Sequence, residues 1–437
     1  MSSRESSTAP LPGRRSLPCA IPDTPLAGVV PGIETCVHCG FCLQACPTYV
    51  TLEDENDSPR GRIVLMRALV EGEMALDDPI VQTHIDRCLG CRACETACPS
   101  GVPYGQLLEA TRATLREVRP TPLIGRVILW IFSRTKTLRA MLLASRLIRA
   151  TRLPSLFSGI AGRFGFANAM LASTRLPLPE RDYDFGLSGA RGIVSLLEGC
   201  VMSGLFARTN RATRRTLRAN DYRVRPARGQ VCCGALHAHA GDLDTARALA
   251  KQNIATFEHS APDFIGVNAA GCGAMMKEYG HLLADDPDWA DRAANVSAKV
   301  RDVSELLAAA GPRAGAPLPL RVTYDAPCHL LHAQRVVAPP LAMLRAIPEL
   351  DLLPLTDAEH CCGAAGIYNL VEPATSDAVL APKLRHIAST GADWVVTGNP
   401  GCLMQIGAGL RRARARARVV HPVDLLDVSY ARSAAND

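Results

Sequence analysis

The sequence predicts an α+β multidomain fold, a mostly α-helical N-terminal domain followed by two tandem α/β repeats. Three observations carry that prediction. A four-cysteine run ending in Cys-Pro occurs at 36–47 and again at 88–99. The set Cys200, Cys232–Cys233–Gly234 and Cys272 recurs, at nearly constant offset, as Cys328, Cys361–Cys362–Gly363 and Cys402. Around those cysteines, short apolar stretches alternate with helical patterns, as in α/β units on a parallel sheet.

The 437 residues are 48% hydrophobic, enough for about two to four domains that each bury a core. A net charge of +6 is mild and diffuse. No arginine-rich motif with interleaved aromatics accompanies it, so nucleic acid is not an expected partner. No run of uncharged apolar residues is long enough for a membrane-spanning helix. Residues 1–30 carry Arg14–Arg15, but prolines and Asp23 break the apolar stretch that a secretory signal would need. They are expected to form a disordered tail, and the protein is expected in the cytoplasm. In that reducing setting, 17 cysteines point to metal or redox chemistry rather than structural disulfides. Cys19, outside every set, reads as a plain thiol.

Domain 31–120 is expected to hold two iron–sulfur clusters. "CVHCGFCLQACP" and "CLGCRACETACP" both read C-x2-C-x2-C-x3-C-P, the run of two-cluster bacterial ferredoxins. Three closely spaced thiolates on one tight loop wrap three corners of a [4Fe–4S] cube. The fourth, on the next turn, points to the other cluster. Cys36, Cys39, Cys42 and Cys98 are therefore assigned to one cluster, and Cys88, Cys91, Cys94 and Cys46 to the second. Zinc sites take their four ligands in two pairs, which does not match four-cysteine runs closed by proline. Between the runs, Ser58 is placed to cap a helix opened by Pro59, with Ile63, Met66, Leu69 and Val70 at helical spacing. Arg60 and Arg62 suit either charge compensation beside a cluster or a solvated helix end.

Residues 121–188 are expected to form a basic, helical linker. No acidic residue lies between Glu117 and Glu180, whereas ten Lys or Arg do. Ile124, Val127, Ile128, Ile131, Leu138, Met141 and Leu142 follow the spacing of an amphipathic helix. Arg126, Arg134, Lys136 and Arg139 lie on or beside its polar face. Packing within the protein, docking on a partner and peripheral contact with an anionic membrane all suit such a helix, the first being the commonest.

Repeats 189–312 and 318–437 are expected to be α/β units. "GIVSLLEGC" and "RVTYDAPC" read as strands ending at a cysteine, as do "DFIGVNAAGC" and "DWVVTGNPGC". Ligands gather beyond the carboxyl ends of such strands. One pole should therefore hold Cys200, Cys232, Cys233 and Cys272, and the other Cys328, Cys361, Cys362 and Cys402. Adjacent Cα atoms lie about 3.8 Å apart, below the usual disulfide range of roughly 4.4–6.8 Å. A multi-metal cluster can take neighbouring thiolates on neighbouring irons, so these eight are candidate ligands of a further iron–sulfur centre or cofactor. Buried structural thiols are the alternative. His237, His239, His329 and His332 lack counterparts in the other copy and read as structural or surface histidines.

Two ferredoxin-type runs followed by two Cys-Cys-Gly repeats resemble the iron–sulfur subunits of glycolate oxidases (glycolate dehydrogenases), and more broadly the heterodisulfide-reductase-like CCG family. The likeness rests on "CVHCGFCLQACPTY", "SPRGRI", "DRCLGCRACETACPSGVPY", "LEGC", "GCGAMMKEYG" and "CCGAAG", and runs through nearly the whole chain after the tail. It implies an oxidoreductase complex in which FAD-binding partner subunits oxidise glycolate to glyoxylate. This chain's clusters would carry the electrons to a quinone-like acceptor. The chain has no G-x-G-x-x-G after a strand, so no flavin of its own is expected, and it offers no catalytic acid–base constellation. The fuller motif of the broader family ends each repeat in Cys-x-x-Cys, but Ala269 and Asn399 stand where those extra thiols would be. A cluster, a docking site and an emptied remnant all stay open for the repeats. Electron-transfer subunits of anaerobic glycerol-3-phosphate and D-lactate dehydrogenases share this plan. A thiol/disulfide reductase acting at the repeats and a flavoprotein scaffold are the readings from other classes.

Overall fold

The computed structural model describes residues 17, 19–119, 121–175 and 178–435. In the N-terminal domain, helices Val30–Glu34, Pro47–Leu52, Pro59–Glu71, Pro79–Asp86, Ala93–Ala97 and Tyr104–Val118 enclose one core. Ile33, Met66, Leu69, Val81, Ile85 and Leu107 fill it. Ser58 caps the third of these helices, its Oγ accepting from the Gly61 N–H at 2.9 Å, with Pro59 as first helical residue. Such a cap satisfies a donor that the helix itself leaves unpaired.

The expected tail is shorter than 1–30. Residues 1–16 and 18 lie outside the described residues, but Leu26 is fully buried and its N–H donates to Thr114 Oγ1 at 3.0 Å. Ala20 bonds the Val70 carbonyl at 2.7 Å. The stretch around Leu26 therefore belongs to the core of the domain.

Residues 123–150 form two helices, Leu123–Phe132 and Thr135–Ala150, where one amphipathic helix was expected. The break resets the helical phase. Ser133 turns its hydroxyl onto the Trp130 carbonyl and Arg134 is extended. Leu129, Leu138 and Leu142 face inward, while Ile124, Val127 and Met141, placed on the apolar face by spacing, are exposed. Helix Gly162–Ser173 packs on helix Pro400–Arg412 through Phe166, Ala169 and Ala408. Among the described residues, no helix is long and apolar enough to cross a membrane.

Each repeat is a four-stranded parallel sheet. Strands β1 (Ile193–Leu197), β2 (Arg223–Arg225), β3 (Phe264–Val267) and β4 (Val300–Asp302) run in the order β2-β1-β3-β4. Strands β5 (Arg321–Tyr324), β6 (Asp351–Leu353), β7 (Trp394–Val396) and β8 (Arg418–Val420) repeat it as β6-β5-β7-β8. The sequence reading found β1, β3, β5 and β7; the short strands beside them went unread. The chain order reverses between β1 and β3, and again between β5 and β7, which is where open parallel sheets bind ligands. Val194, Leu217, Leu306, Val322, Val396 and Leu426 belong to one core cluster, so the two repeats are packed as one body. Arg215 and Asp427 join them as a buried ion pair at 2.8 Å.

Candidate iron–sulfur and cysteine sites

The two ferredoxin-type loops share a backbone. His38 (φ 55°) and Gly40 (φ 85°) in the first correspond to Gly90 (φ 60°) and Arg92 (φ 62°) in the second. Left-handed φ at a non-glycine residue is uncommon and is held only where the surroundings demand it. Here it curls each loop so that its three cysteines converge. Cys36, Cys39 and Cys42 line one small cleft together with Cys98, which arrives from the second run. Cys46, leaving the first run just ahead of Pro47, lies beside Cys88, Cys91 and Cys94. The first set reaches the surface, with Cys39 exposed; Cys46, Cys88, Cys91 and Cys94 are buried.

The donors around the sulfurs suit thiolate ligands. Tyr104 Oη lies 3.7 Å and the Gly90 N–H 3.4 Å from Cys88 Sγ. Arg62, with no exposure at all, reaches to 3.9 Å from Cys46 Sγ. Its guanidinium also donates to the His84 carbonyl, Thr48 Oγ1 and Asp57 Oδ1 at 2.6, 3.2 and 3.2 Å. Of the two readings weighed for it, charge compensation beside the sulfurs matches this position and a solvated helix end does not. Burial pushes the Cys42 thiol up to about 11 and holds Cys91 and Cys94 well above the usual range. A cluster held there would have to displace the protons of Cys91 and Cys94, because metal sites take thiolates.

In each repeat the four cysteines converge beyond the strand ends. Cys200 follows β1 and Cys272 follows β3, with Cys328 and Cys402 at the corresponding places after β5 and β7. Cys200 and Cys232 Sγ lie 3.8 Å apart, and Cys328 and Cys361 Sγ 4.0 Å. Gly363, at φ +81°, lies so close to the neighbouring helix that a Cβ would come 2.7 Å from the Ser376 carbonyl oxygen. Glycine is needed there to seat the adjacent thiols against the fold.

The two poles do not stand apart. All eight repeat cysteines line one cavity of about 350 Å³, walled by Leu89, Ile128, Phe132 and Met170 and flanked by His239 and His329. The rings of those two histidines lie 5.4 Å apart. His239 Nδ1 pairs with Glu109 at 2.9 Å, and burial holds His329 down to about 3. Repeat logic missed both as cavity residues, because they occupy non-equivalent positions and meet only in three dimensions. His237 bonds the Leu129 carbonyl and His332 bonds Thr96 Oγ1, as structural groups do.

Asn399, at the position of an absent thiol, donates to Cys402 Sγ at 3.5 Å and accepts from the Gly271 N–H at 3.2 Å, tying one repeat to the other. The ferredoxin-type domain is tied in as well. Cys91 shares a buried cluster with Cys328, Cys361 and Tyr368. Tyr368 Oη donates to the Arg87 carbonyl at 2.9 Å, and Arg92 pairs with Glu278.

Residues 32–102 match the 4Fe-4S dicluster domain family, and residues 194–277 and 322–407 match the cysteine-rich (CCG) domain family. Over 415 residues, covering 90% of this chain and 92% of the other, the sequence is 37% identical to a Bacillus subtilis (strain 168) protein described as "Probable glycolate oxidase iron-sulfur subunit". It is 32% identical to the glycolate oxidase iron-sulfur subunit of Escherichia coli (strain K12), covering 90% and 93% of the two chains. Lactate utilization protein A of Shouchella clausii (strain KSM-K16) is 30% identical, covering 54% of this chain and 98% of its own. Fold and sites together define an iron–sulfur electron-transfer subunit, a two-run ferredoxin-type domain joined to paired cysteine-rich repeats. Within that class, the chain belongs to the glycolate oxidase iron–sulfur subunit family.

Proposed function

We propose that the chain is the electron-relay subunit of a glycolate-oxidising complex. One observation carries this reading: the cysteine sets are ordered from the surface inward. Cys36, Cys39, Cys42 and Cys98 lie outermost, and Cys46, Cys88, Cys91 and Cys94 are buried behind them. Cys91 packs against Cys328 and Cys361 at the edge of the shared cavity. Each of the first two sets would hold one [4Fe–4S] cluster, which when bound takes up and gives back single electrons. The eight repeat cysteines are candidate ligands of a further centre.

The chain's own residues keep water from the inner set, aim donors at its sulfurs and place the Arg62 charge beside it. Val37 and Phe41, 59% and 70% exposed next to Cys39, offer an apolar edge on which an FAD-bearing partner docks. On that partner, glycolate loses two electrons and two protons to become glyoxylate. A quinone-like acceptor gains the same two electrons and two protons, so the exchange balances. A cytoplasmic place fits this role, with the basic segment 121–188 supporting peripheral contact with an anionic membrane face.

D-lactate is the second donor to consider, because the lactate utilization proteins A match just over half of the chain. The test is to purify the chain with its partners and follow dye reduction with glycolate, D-lactate and glycerol 3-phosphate. Glycolate-dependent reduction is expected; reduction by glycerol 3-phosphate alone would replace this reading with its nearest rival.

A further inference from the structure

We infer that a second cavity, between helix Thr135–Ala150 and the two repeats, binds a phosphate group, borne by a membrane lipid or by a small soluble ester. No cysteine lines it, so the site is independent of the relay reading.

The charges select the guest. The cavity measures about 260 Å³, just below the roughly 300–1,000 Å³ of sites for larger organic ligands. Arg146 and Arg149 line it from helix Thr135–Ala150, Arg175 from the turn after helix Gly162–Ser173, and Arg208 and Arg211 from helix Ala207–Ala219. Arg211 is spent on Glu180, which it grips with two bonds of 2.7 and 2.8 Å. None of the other four is in an ion pair among the described residues. Arg149 donates instead to the Thr174 and Leu205 carbonyls at 3.2 and 2.9 Å and to Thr174 Oγ1 at 2.8 Å. Arg208 donates to the carbonyls of Leu178 and Pro179, and its buried Nε has no partner among the described residues. Neutral acceptors fix these guanidinium groups and leave their charge uncompensated. Burial, with Arg146 and Arg175 close by, holds Arg149 below the usual arginine range, as crowded like charges do.

The fold adds donors of its own. Helix Ala207–Ala219 opens without a side-chain cap, and its first turn, Ala207 to Thr209, is in the cavity wall. First-turn N–H groups have no partner within their helix and, with the helix dipole, favour an anion. Asp424, 2% exposed, is also in the wall. Its Oδ2 accepts from Thr209 Oγ1 at 2.9 Å, and its Oδ1 has no partner among the described residues. Buried polar atoms are rarely left so. Burial pushes this carboxyl up to about 7. In its acid form it adds no negative charge, and its hydroxyl can donate to an oxyanion. A phosphate carries up to two charges and three strong acceptor oxygens, which guanidinium forks on different walls can share. A monocarboxylate, with one charge and two oxygens, would leave most of these donors unused.

The surroundings admit both sources. Leu143 and Leu147 flank Arg146 on its helix and are 57% and 63% exposed. A phospholipid seated by its phosphate would lay its chains against them, and an anionic membrane face attracts the acid-free stretch to which they belong. A soluble ester would use the same forks and leave the two leucines bare. Either guest joins helix Thr135–Ala150 to repeat 1 through Arg208 and to repeat 2 through Asp424.

The test titrates the full chain, purified with its iron, with inorganic phosphate by calorimetry in chloride buffer. One saturable site per chain is expected, and Arg146→Ala with Arg175→Ala should weaken it about tenfold or more. Should that pair misfold, phenylglyoxal modification of the unaltered chain decides. Phosphate should protect Arg146 and Arg175 but not the exposed Arg414. Sedimentation with phosphatidylglycerol vesicles then separates the sources. Vesicle binding that both phosphate and the paired substitution abolish assigns the lipid; phosphate binding without such vesicle binding assigns the soluble ester. No saturable phosphate binding, unchanged binding in the folded pair, no protection of Arg146 and Arg175, or tighter binding of succinate than of phosphate overturns the site.

Discussion

Cys91 and Cys361, one from the second ferredoxin-type run and the other from the second Cys-Cys-Gly repeat, lie in the same buried cluster. Both are buried, so the two cysteine sets meet at a point that excludes water. Repeat 1 is linked to the domain by the Arg92–Glu278, His239–Glu109 and Arg116–Asp242 pairs and by the Arg112 bond to the His239 carbonyl.

Cys91→Ser should abolish glycolate-dependent dye reduction while leaving the complex assembled on gel filtration. Full activity in that variant would contradict the relay.

Iron and sulfide should each number at least about eight per chain, and Cys36→Ser or Cys88→Ser should each remove about four. Any surplus above eight should disappear in Cys361→Ser and not in the other two. Colorimetric iron analysis of the purified chains decides it.

Arg62→Met should destabilise the chain by about 3–5 kcal/mol, measured by urea denaturation. The substitution leaves the fully buried Asp57 carboxylate with one cation fewer, and breaking a buried pair costs more than the pair contributes. Arg87 at 2.9 Å and His84 at 3.0 Å hold part of that charge, so unfolding at neutral pH should remain cooperative. Removing the cation beside Cys46 should also make reduction of the nearby centre harder, read as a more negative potential.

Burial pushes Asp424 up to about 7, against a hydrogen bond from Thr209 and the charge of Arg208, with Asp427 and Glu180 adding to the rise. The folded chain thus holds a proton that the unfolded chain releases from about pH 4. Its stabilising share is complete below that pH and is lost as pH climbs through 7, at about 1.4 kcal/mol per unit. Asp424→Asn should flatten this loss between pH 4 and 7, seen in urea midpoints collected across that range.

Much of this architecture is written locally. The cysteine spacings, the Ser58–Pro59 helix start and the four strands that end at cysteines are all short-range patterns, and each is found where its spacing put it. What sequence reading missed depends on distant segments. Leu26 looked like tail because nothing nearby explains its burial; its partner is Thr114. Arg62 looked half-solvated because its acceptors His84, Thr48 and Asp57 come from different elements. The single apolar face drawn through 124–142 failed because the break at Ser133 changes phase. The convergence of both repeats on one cavity had no linear signature at all.

The exchange of Cys46 and Cys98 between the two runs also bears on how the protein is made. As assigned, the set with Cys46 is complete only at Cys94 and the set with Cys36 only at Cys98, and the shared cavity waits for Cys402 near the far end. Metal delivery to either ferredoxin-type set must therefore follow translation of both runs. The bare thiols must be guarded until then, which makes the interval before assembly the stage at which oxygen can do most harm.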